Sequence, residues 1–210
     1  MRSIPLAGLA PDRIYKILCS LVVPRPIALV STRSKAGISN AAPYSFFNVF
    51  SEAPPLVVLG LQHKADHSPK DTTRNIRETG DFVVNMVDEA LAEAMNLTAI
   101  DFPPEVSEPG SLGLGLAEST HVSAPRLAAA PAALECKRTV ALAFGPQREL
   151  LIGEVLAVHV REDVMDEGFN VDMAAYKPVG RLFGNLYSFQ REIFELKRES
   201  YAVWSEKPRS

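Results

Sequence analysis

The first stretch with side chains suited to binding a ligand is ISNAAPYSFFN, residues 38–48. Its pattern predicts a strand, yet Pro43 lacks the backbone N–H that a sheet ladder uses, and proline in sheets is confined to edges and bulges. Polar side chains surround it at Asn40, Tyr44 and Ser45. The stretch predicts either an edge where freed backbone groups meet a ligand or an ordinary bulge in a barrel wall.

A lysine and a hydroxyl stand in the first turn of a predicted helix, at Lys70 and Thr72. Ser68 fits the N-cap of that helix and Pro69 its first position. Unpaired N–H groups at a helix start attract anions, and a lysine there opposes the helix dipole unless an anion is present. The pair indicates a phosphate seat; the alternative is a solvated surface lysine, because Asp71 already satisfies part of this terminus.

Other polar residues give weaker indications of function. His63 and His67 are four residues apart, but the helix start that follows places them in a loop without a third ligand, so no metal site is expected. His159 alternates with valines in a predicted strand, which is typical of a structural histidine. Ser31 and Thr32 end an apolar strand, and their hydroxyls alone predict no function.

Strong catalytic motifs are missing from the sequence. It contains no G-x-x-x-x-G-K-[ST], no G-x-S-x-G and no H-E-x-x-H, and no pairing of a nucleophile with a base can be named. If the chain is an enzyme, we expect its reactive chemistry to belong to a bound cofactor.

Composition narrows the class of protein. The 210 residues carry 22 basic and 25 acidic side chains, a net charge of −3 without a charged tail, which argues against nucleic acid as a partner. No apolar run approaches the roughly 18 residues of a membrane span, so we expect a soluble, cytoplasmic protein. Cys19 and Cys136 are far apart in sequence and predict buried, reduced thiols.

The predicted elements are mostly strands. Apolar spacing and turn residues predict strands at 27–33, 38–50, 56–62, 82–87, 134–144 and 149–161, and helices at 11–21, 68–79 and 88–99. An irregular excursion occupies 100–130 and a poorly periodic tail 189–210. Because the helices do not alternate with the strands, we predict a single domain over 1–210, a six-stranded antiparallel Greek-key split barrel with a few appended helices.

Four blocks of the sequence, in this order, resemble one known family. They are PRPIALVSTRSKAGISNAAPYSFFNVFSEAPPLVVLGL (24–61), KDTTRNIRETGDFVVNMV (70–87), IGEVLAVHVRED (152–163) and KPVGRLFGNLYS (177–188). The chain is similar to the flavin reductase-like family of FMN-binding split barrels. That resemblance implies a homodimer that holds FMN along the proline-broken strand.

The resemblance also implies which residues bind FMN. The flavin ring and ribityl chain would be lined by Ser31, Thr32, Asn40, Ser45, Phe46 and Phe47, and the phosphate would be held by Lys70 and Thr72. One position departs from the family pattern, because Phe183 replaces the first glycine of an RLGG motif. A ring at that position is expected to narrow access to the flavin, and it leaves roles for Arg181 and Tyr187 open.

The activity implied by the resemblance is hydride transfer from NADH or NADPH to FMN. The reduced flavin would then supply a partner such as a monooxygenase component. Two alternatives stay open at this point: a flavin-loaded electron carrier without its own oxidation of NAD(P)H, and a flavoenzyme that acts directly on an organic substrate.

Overall fold

The computed structural model describes residues 1–205 and contains mostly strands. The helices are α1 (Pro11–Leu21), α2 (Asp71–Thr79), α3 (Ala92–Leu97), α4 (Glu108–Ser111), α5 (Met173–Tyr176) and α6 (Tyr201–Ser205). The strands are β1 (Ala28–Arg33), β2 (Ser39–Tyr44), β3 (Phe47–Glu52), β4 (Pro55–Gln62), β5 (Asp81–Met86), β6 (Leu116–Ala117), β7 (Arg126–Leu127), β8 (Ala132–Ala143), β9 (Arg148–Val160), β10 (Val179–Arg181) and β11 (Tyr187–Phe189).

One antiparallel sheet dominates the molecule. Its seven strands lie in the order β2-β1-β5-β8-β9-β4-β3, and the small pairs β6-β7 and β10-β11 lie outside it. The long hairpin β8-β9 forms the middle of the sheet, as its two β-rich arms and the Gly145-Pro146 turn predict. The mostly β, antiparallel barrel expected from the sequence is therefore confirmed, with seven strands in place of six.

The additional strand comes from the segment predicted as one strand at 38–50, and that prediction was wrong. The structure divides it into β2 and β3, which lie at opposite edges of the sheet. Pro43 sits in the edge strand β2 opposite Leu29, a place where a missing N–H costs least. Only Ser45 and Phe46 connect the two edges, and we call this connection the seam. The N–H of Gly60 in β4 donates to the Phe46 carbonyl (2.7 Å) and ties the seam to the sheet.

Two predicted helices begin later than expected. Helix α2 starts at Asp71 with Lys70 as its N-cap, so the assignment of the N-cap to Ser68 was wrong. The Ser68 hydroxyl instead donates to Asp66 Oδ1 (2.6 Å) in the preceding turn. The end of α2 is as predicted, since Gly80 closes it with φ 80°. The helix predicted at 88–99 is reduced to α3, because Asp88 pairs with the backbone of Pro178.

Apolar side chains fill the interior of the barrel. Its largest cluster contains Phe47, Leu59, Leu61, Phe82 and Leu151, all buried. The fit is tight around Phe82, because a Cβ added to Gly153 in β9 would lie 2.4 Å from the Phe82 Cζ atom. Cys19 and Cys136 are buried and free, as the sequence predicts.

The 100–130 excursion contains only α4 and the two-residue strands β6 and β7, which agrees with the absence of a long predicted element. Buried Glu135 in β8 fastens it to the sheet by accepting hydrogen bonds from the backbone N–H groups of Thr120 (2.8 Å) and His121 (2.6 Å). The His159 ring nitrogen lies 2.5 Å from the same carboxylate, which confirms a structural role for this histidine. Burial raises the pKa of Glu135, but these hydrogen bonds outweigh burial and lower it to about 2.

No helix among residues 1–205 is long and apolar enough to cross a bilayer.

Candidate functional site

A cleft of about 230 Å³ opens beside the seam, and we call it the seam cleft. Its walls come from the end of β2, from β4, from the start of α2 and from the excursion. The residues that line it include Tyr15, Asn40, Pro43, Tyr44, Ser45, Phe46, Gln62, Lys64, Lys70, Asp71, Thr72, Asp101, Phe102, Glu108 and Arg148. The cleft therefore lies where the two sheet edges approach each other.

The wall at the seam is held from behind by a buried cation. Arg25 is 7% exposed, and its guanidinium donates to the carbonyls of Cys19 (2.7 Å) and Leu182 (2.9 Å). The Nε atom of Arg25 donates to Ser45 Oγ (3.3 Å). Since this hydroxyl accepts from Arg25, its own proton is free to be donated into the cleft.

The start of α2 supplies the cationic part of the cleft. Lys70 Nζ lies 3.4 Å from Asp101 Oδ1, and both side chains are substantially exposed, so this ion pair is weak. Thr72 is 1% exposed, and its hydroxyl lies 3.0 Å from the Asn40 amide. An anion placed here would meet the helix start and the lysine together, and the phosphate seat at Lys70 and Thr72 stays a prediction.

Two buried polar atoms in the cleft wall have no hydrogen-bond partner among residues 1–205: Tyr44 Oη and Glu108 Oε2. Burial is the main cause that raises the pKa of Tyr44 to about 12; the neighbouring Thr72 hydroxyl opposes this shift, and the negative charges of Asp71 and Glu108 add to it. Burial also raises the pKa of Glu108 above its ordinary value, with Asp71 adding to the shift. Buried groups of this kind are usually satisfied, so the lack of partners for these two atoms requires an explanation.

Aromatic rings form a further part of the wall. The ring of Tyr15 lies 6.3 Å from that of Phe46 and 6.4 Å from that of Phe183. The guanidinium of Arg148 stands 5.7 Å from the Phe46 ring centroid. Phe183 therefore contacts Tyr15, and Tyr15 in turn lines the cleft. Arg181 and Tyr187 stack on each other at 4.5 Å and do not line the cleft.

Five of the residues proposed from the sequence come together in the seam cleft: Asn40, Ser45, Phe46, Lys70 and Thr72. The other three do not line it: Ser31, Thr32 and Phe47. Ser31 and Thr32 are fully buried, because Ser31 donates to the Pro125 carbonyl (2.5 Å) and Thr32 accepts from Asn75 (2.9 Å). Phe47 begins β3 with its ring in the barrel core.

The histidine pair of the sequence is not brought together for a metal. His63 Nε2 lies 3.4 Å from buried Glu149, whose carboxylate also accepts from Arg77 (2.5 Å). His67 stands in an exposed turn with φ 68°. Within the described part of the chain, no group of three potential metal ligands is close enough to hold an ion.

Sequence reasoning missed several residues of the cleft. Tyr15 lies on the exposed side of an ordinary amphipathic helix, and Arg148 follows a hairpin turn. Glu108 belongs to the irregular excursion, where no periodicity identifies a buried residue. Their only sequence signal is weak, since Ser107-Glu108-Pro109 is a helix start with a capping serine.

The residues of the seam cleft fit FMN. A flat aromatic ring system matches the rings of Tyr15 and Phe46, and a phosphate matches Lys70 and Thr72 at the start of α2. Tyr44 and Glu108 add polar side chains to the wall of the same cleft. The donor set therefore suits an anionic mononucleotide with an aromatic head.

Comparisons with known proteins give a consistent result. Residues 20–191 match the model of the "Flavin reductase like domain". An uncharacterized protein of Deinococcus radiodurans is 45% identical over 209 residues, which cover 96% of this chain and 91% of that protein.

Two solved structures are also similar over nearly their whole length. The 2-nitrobenzoate 2-nitroreductase NbaA of Pseudomonas fluorescens has a TM-score of 0.88 and 39% identity, covering 95% of this chain and 98% of that one. The nitrilotriacetate monooxygenase component B of Bacillus cereus has a TM-score of 0.89 and 37% identity, covering 93% and 98%.

Proposed function

Because this chain belongs to the flavin reductase-like domain family, we propose that it binds FMN in the seam cleft and reduces it with NADH or NADPH. One observation carries the proposal: a single cleft combines an aromatic wall at Tyr15 and Phe46 with the lysine-bearing start of α2 at Lys70 and Thr72. These are the two recognition elements that a flavin mononucleotide requires. When bound, FMN supplies an acceptor for the hydride of the nicotinamide.

The chain's own residues bind and orient in this proposal. Lys70 and Thr72 hold the phosphate, and the half-exposed Lys70 exchanges Asp101 for the ligand. The main-chain groups beside Pro43 and the Ser45 hydroxyl meet the polar rim of the flavin ring. Orientation of two reactants in one cleft can supply much of the rate enhancement without an acid or base from the protein.

Buried Arg25 contributes electrostatically to the same task. Among residues 1–205 its guanidinium pairs with no carboxylate and donates only to carbonyls and to Ser45 Oγ. Its positive charge therefore remains uncompensated just behind the seam. A fixed cation there stabilises the negative charge that a flavin ring gains on reduction.

An anaerobic absorbance titration tests the proposal. Protein is titrated first with FMN and then with NADH or NADPH, and the visible absorbance band of the flavin is expected to bleach faster than in FMN without protein, at about one equivalent of donor. The matched control is an Arg148→Ala, Lys70→Ala double variant, which removes two of the three cations that line the cleft and leaves Lys64. A wild-type protein that fails to perturb the FMN spectrum would refute flavin binding; binding without bleaching would leave an electron carrier in its place.

A second candidate function is direct reduction of an aromatic acid, and Arg148 favours it. Its guanidinium lies over Phe46 in the cleft wall, an arrangement that suits a planar substrate with a carboxylate. The similar P. fluorescens structure is described as a 2-nitrobenzoate 2-nitroreductase. Adding 2-nitrobenzoate to FMN-loaded protein with excess NADH separates the two candidates, since only a nitroreductase consumes the acid under anaerobic conditions.

We further propose that the protein is a homodimer that passes reduced flavin to a monooxygenase component. Large apolar side chains are exposed on β3 at Val49 and Phe50 and near the end of β8 at Leu142 and Phe144. Exposed apolar groups of this size are typical of an interface. The similar B. cereus structure is described as a monooxygenase component B. Light scattering of the purified protein tests the dimer, and a Phe50→Glu, Phe144→Glu variant is expected to be monomeric.

A further inference from the structure

The carboxyl group of Glu108 is the least expected group in the seam cleft. Glu108 is 6% exposed, and its Oε2 atom has no hydrogen-bond partner among residues 1–205. It lines the same cleft as Lys70 and Thr72, where we propose that the phosphate binds. A carboxylate beside a phosphate would repel it, so the presence of Glu108 requires an explanation.

The two carboxyl oxygens of Glu108 differ in their hydrogen bonding. One orientation of the Asn40 amide satisfies both its nitrogen and its oxygen. In that orientation the Asn40 nitrogen donates to Glu108 Oε1 (3.1 Å), and the Asn40 oxygen accepts from Thr72 Oγ1 (3.0 Å) and from the Ala41 N–H (3.1 Å). Oε1 is therefore used as an acceptor. Oε2 is the oxygen left to carry a proton.

The charges around Glu108 favour a proton on the carboxyl group. From α2 it faces Asp71, whose carboxylate is paired with Arg74. From β2 it faces the Tyr44 hydroxyl, which also lacks a partner and stays neutral. Lys64, Lys70 and Arg148 also line the cleft, and Lys70 is paired with Asp101. Burial and Asp71 both raise the pKa of Glu108, while backbone N–H groups oppose the shift.

We propose that Glu108 is a phosphate-binding residue in its protonated form. Its Oε2 atom is shielded from solvent in the structure; when the side chain turns this atom towards the cleft, the carboxyl group donates a hydrogen bond to a phosphate oxygen of FMN that Lys70 and the N–H groups at the start of α2 also hold. The proposal rests on the proposed function, because it assigns a role within the same site. A neutral donor in place of a second acid allows one more hydrogen bond to the phosphate without adding charge repulsion.

Binding of FMN is then linked to a proton. When Glu108 is ionised, it must take up a proton before it can donate to the phosphate. The affinity for FMN consequently falls as the pH rises through the pKa of Glu108 in the free protein, by up to about tenfold per pH unit. Riboflavin lacks the phosphate, so its affinity is expected to be independent of this proton.

The test measures dissociation constants by quenching of flavin fluorescence, from pH 5.5 to pH 9, for FMN and riboflavin. The proteins are the wild type, Glu108→Gln, which stays neutral at every pH, and Glu105→Gln, which removes an exposed acid from the same segment. The phosphate of FMN has its own ionisation near pH 6, and comparison of the wild type with Glu108→Gln cancels it.

We expect the FMN affinity of the wild type and of Glu105→Gln to fall with pH, and that of Glu108→Gln to lack this decrease. Equal pH profiles for the wild type and Glu108→Gln would overturn the inference. Should Glu108→Gln fail to fold, calorimetry of the wild type in two buffers of different ionisation enthalpy decides instead: proton uptake with FMN but not riboflavin supports the role, and equal uptake contradicts it. A wild type that binds FMN at no pH would refute the proposed function itself.

Discussion

Replacing Gly153 by alanine probes the packing of the barrel most directly. Gly153 lies in β9 between Val57 of β4 and Arg138 of β8. A Cβ atom at this position would stand 2.4 Å from Cζ and 2.7 Å from Cε1 of Phe82. The ring of Phe82 is fully buried, so it has no solvent-facing direction in which to move.

The cost can be worked out from this geometry. Ordinary contact begins at 3.4 Å, so the ring or the strand must shift by about 1 Å, which places the substitution at the upper end of the roughly 1–3 kcal/mol of overpacking. The lower entropy of the unfolded alanine chain returns about 0.4–1 kcal/mol. We expect a net loss of about 2 kcal/mol in the free energy of unfolding and a melting temperature lower by roughly 4–8 °C.

Urea denaturation and thermal melts followed by circular dichroism measure this loss. Gly115→Ala is the matched control, because its Cβ would meet Ala128 at an ordinary 3.6 Å without a positive φ. A Gly153→Ala, Phe82→Leu double variant should recover stability relative to the sum of the two single changes, since the smaller side chain removes the clash. A Gly153→Ala protein that melts within about 1 °C of the wild type would refute the packing argument.

Four further outcomes are expected. Lys70→Ala should bind FMN about tenfold more weakly, which is the low end for a charged contact because the lysine is half exposed. Its affinity for riboflavin should stay unchanged, and an equal loss of affinity for FMN and riboflavin in fluorescence titrations would contradict the phosphate role. Tyr44→Phe should leave the free energy of unfolding unchanged or raise it by up to about 1 kcal/mol, since it deletes an unpaired hydroxyl; a clear loss in urea would reveal a partner. The pKa of Glu135 is lowered from 4.5 to about 2, so the ionised carboxylate stabilises the fold above pH 4.5 and loses this effect as the pH falls towards 2. The melting temperature of Glu135→Gln should therefore vary less with pH between these values than that of the wild type, and parallel curves of melting temperature against pH would argue against this role. Phe183→Gly should speed FMN association in stopped-flow fluorescence by freeing Tyr15; an unchanged rate constant would exclude Phe183 from controlling access.

Local signals in the sequence predict local structure well here. Helix α1 has the bounds that its apolar spacing indicates, and the β8-β9 hairpin follows from two β-rich arms around a Gly-Pro turn. Lys70 and Thr72 lie at the start of α2 as expected, although the helix begins at Asp71 and not at Pro69. These features depend on residues that are close together in the sequence, where the spacing of apolar residues and the turn residues determine the local structure.

Features that depend on distant residues could not be predicted in the same way. Nothing between 38 and 50 shows that the chain leaves one edge of the sheet and joins the other, because the partners Leu29 and Leu59 lie on separate strands. Ser31 and Asn40 are both polar in the sequence, but only the fold shows that the Ser31 hydroxyl donates its hydrogen bond to the Pro125 carbonyl. Glu108 sits in a stretch without a regular period, so its burial is visible only in three dimensions.

The seam also affects how the molecule moves. The two-residue seam joins the two edges of the sheet, and the 2.7 Å hydrogen bond from the Gly60 N–H to the Phe46 carbonyl ties it to β4. We therefore expect local opening of the barrel to begin at this rim. A nucleotide bound at this rim would contact both edges of the sheet. Every increment of its binding energy therefore resists opening of the barrel, so saturation with the nucleotide should slow amide exchange at the rim before it changes exchange deep in the hairpin β8-β9.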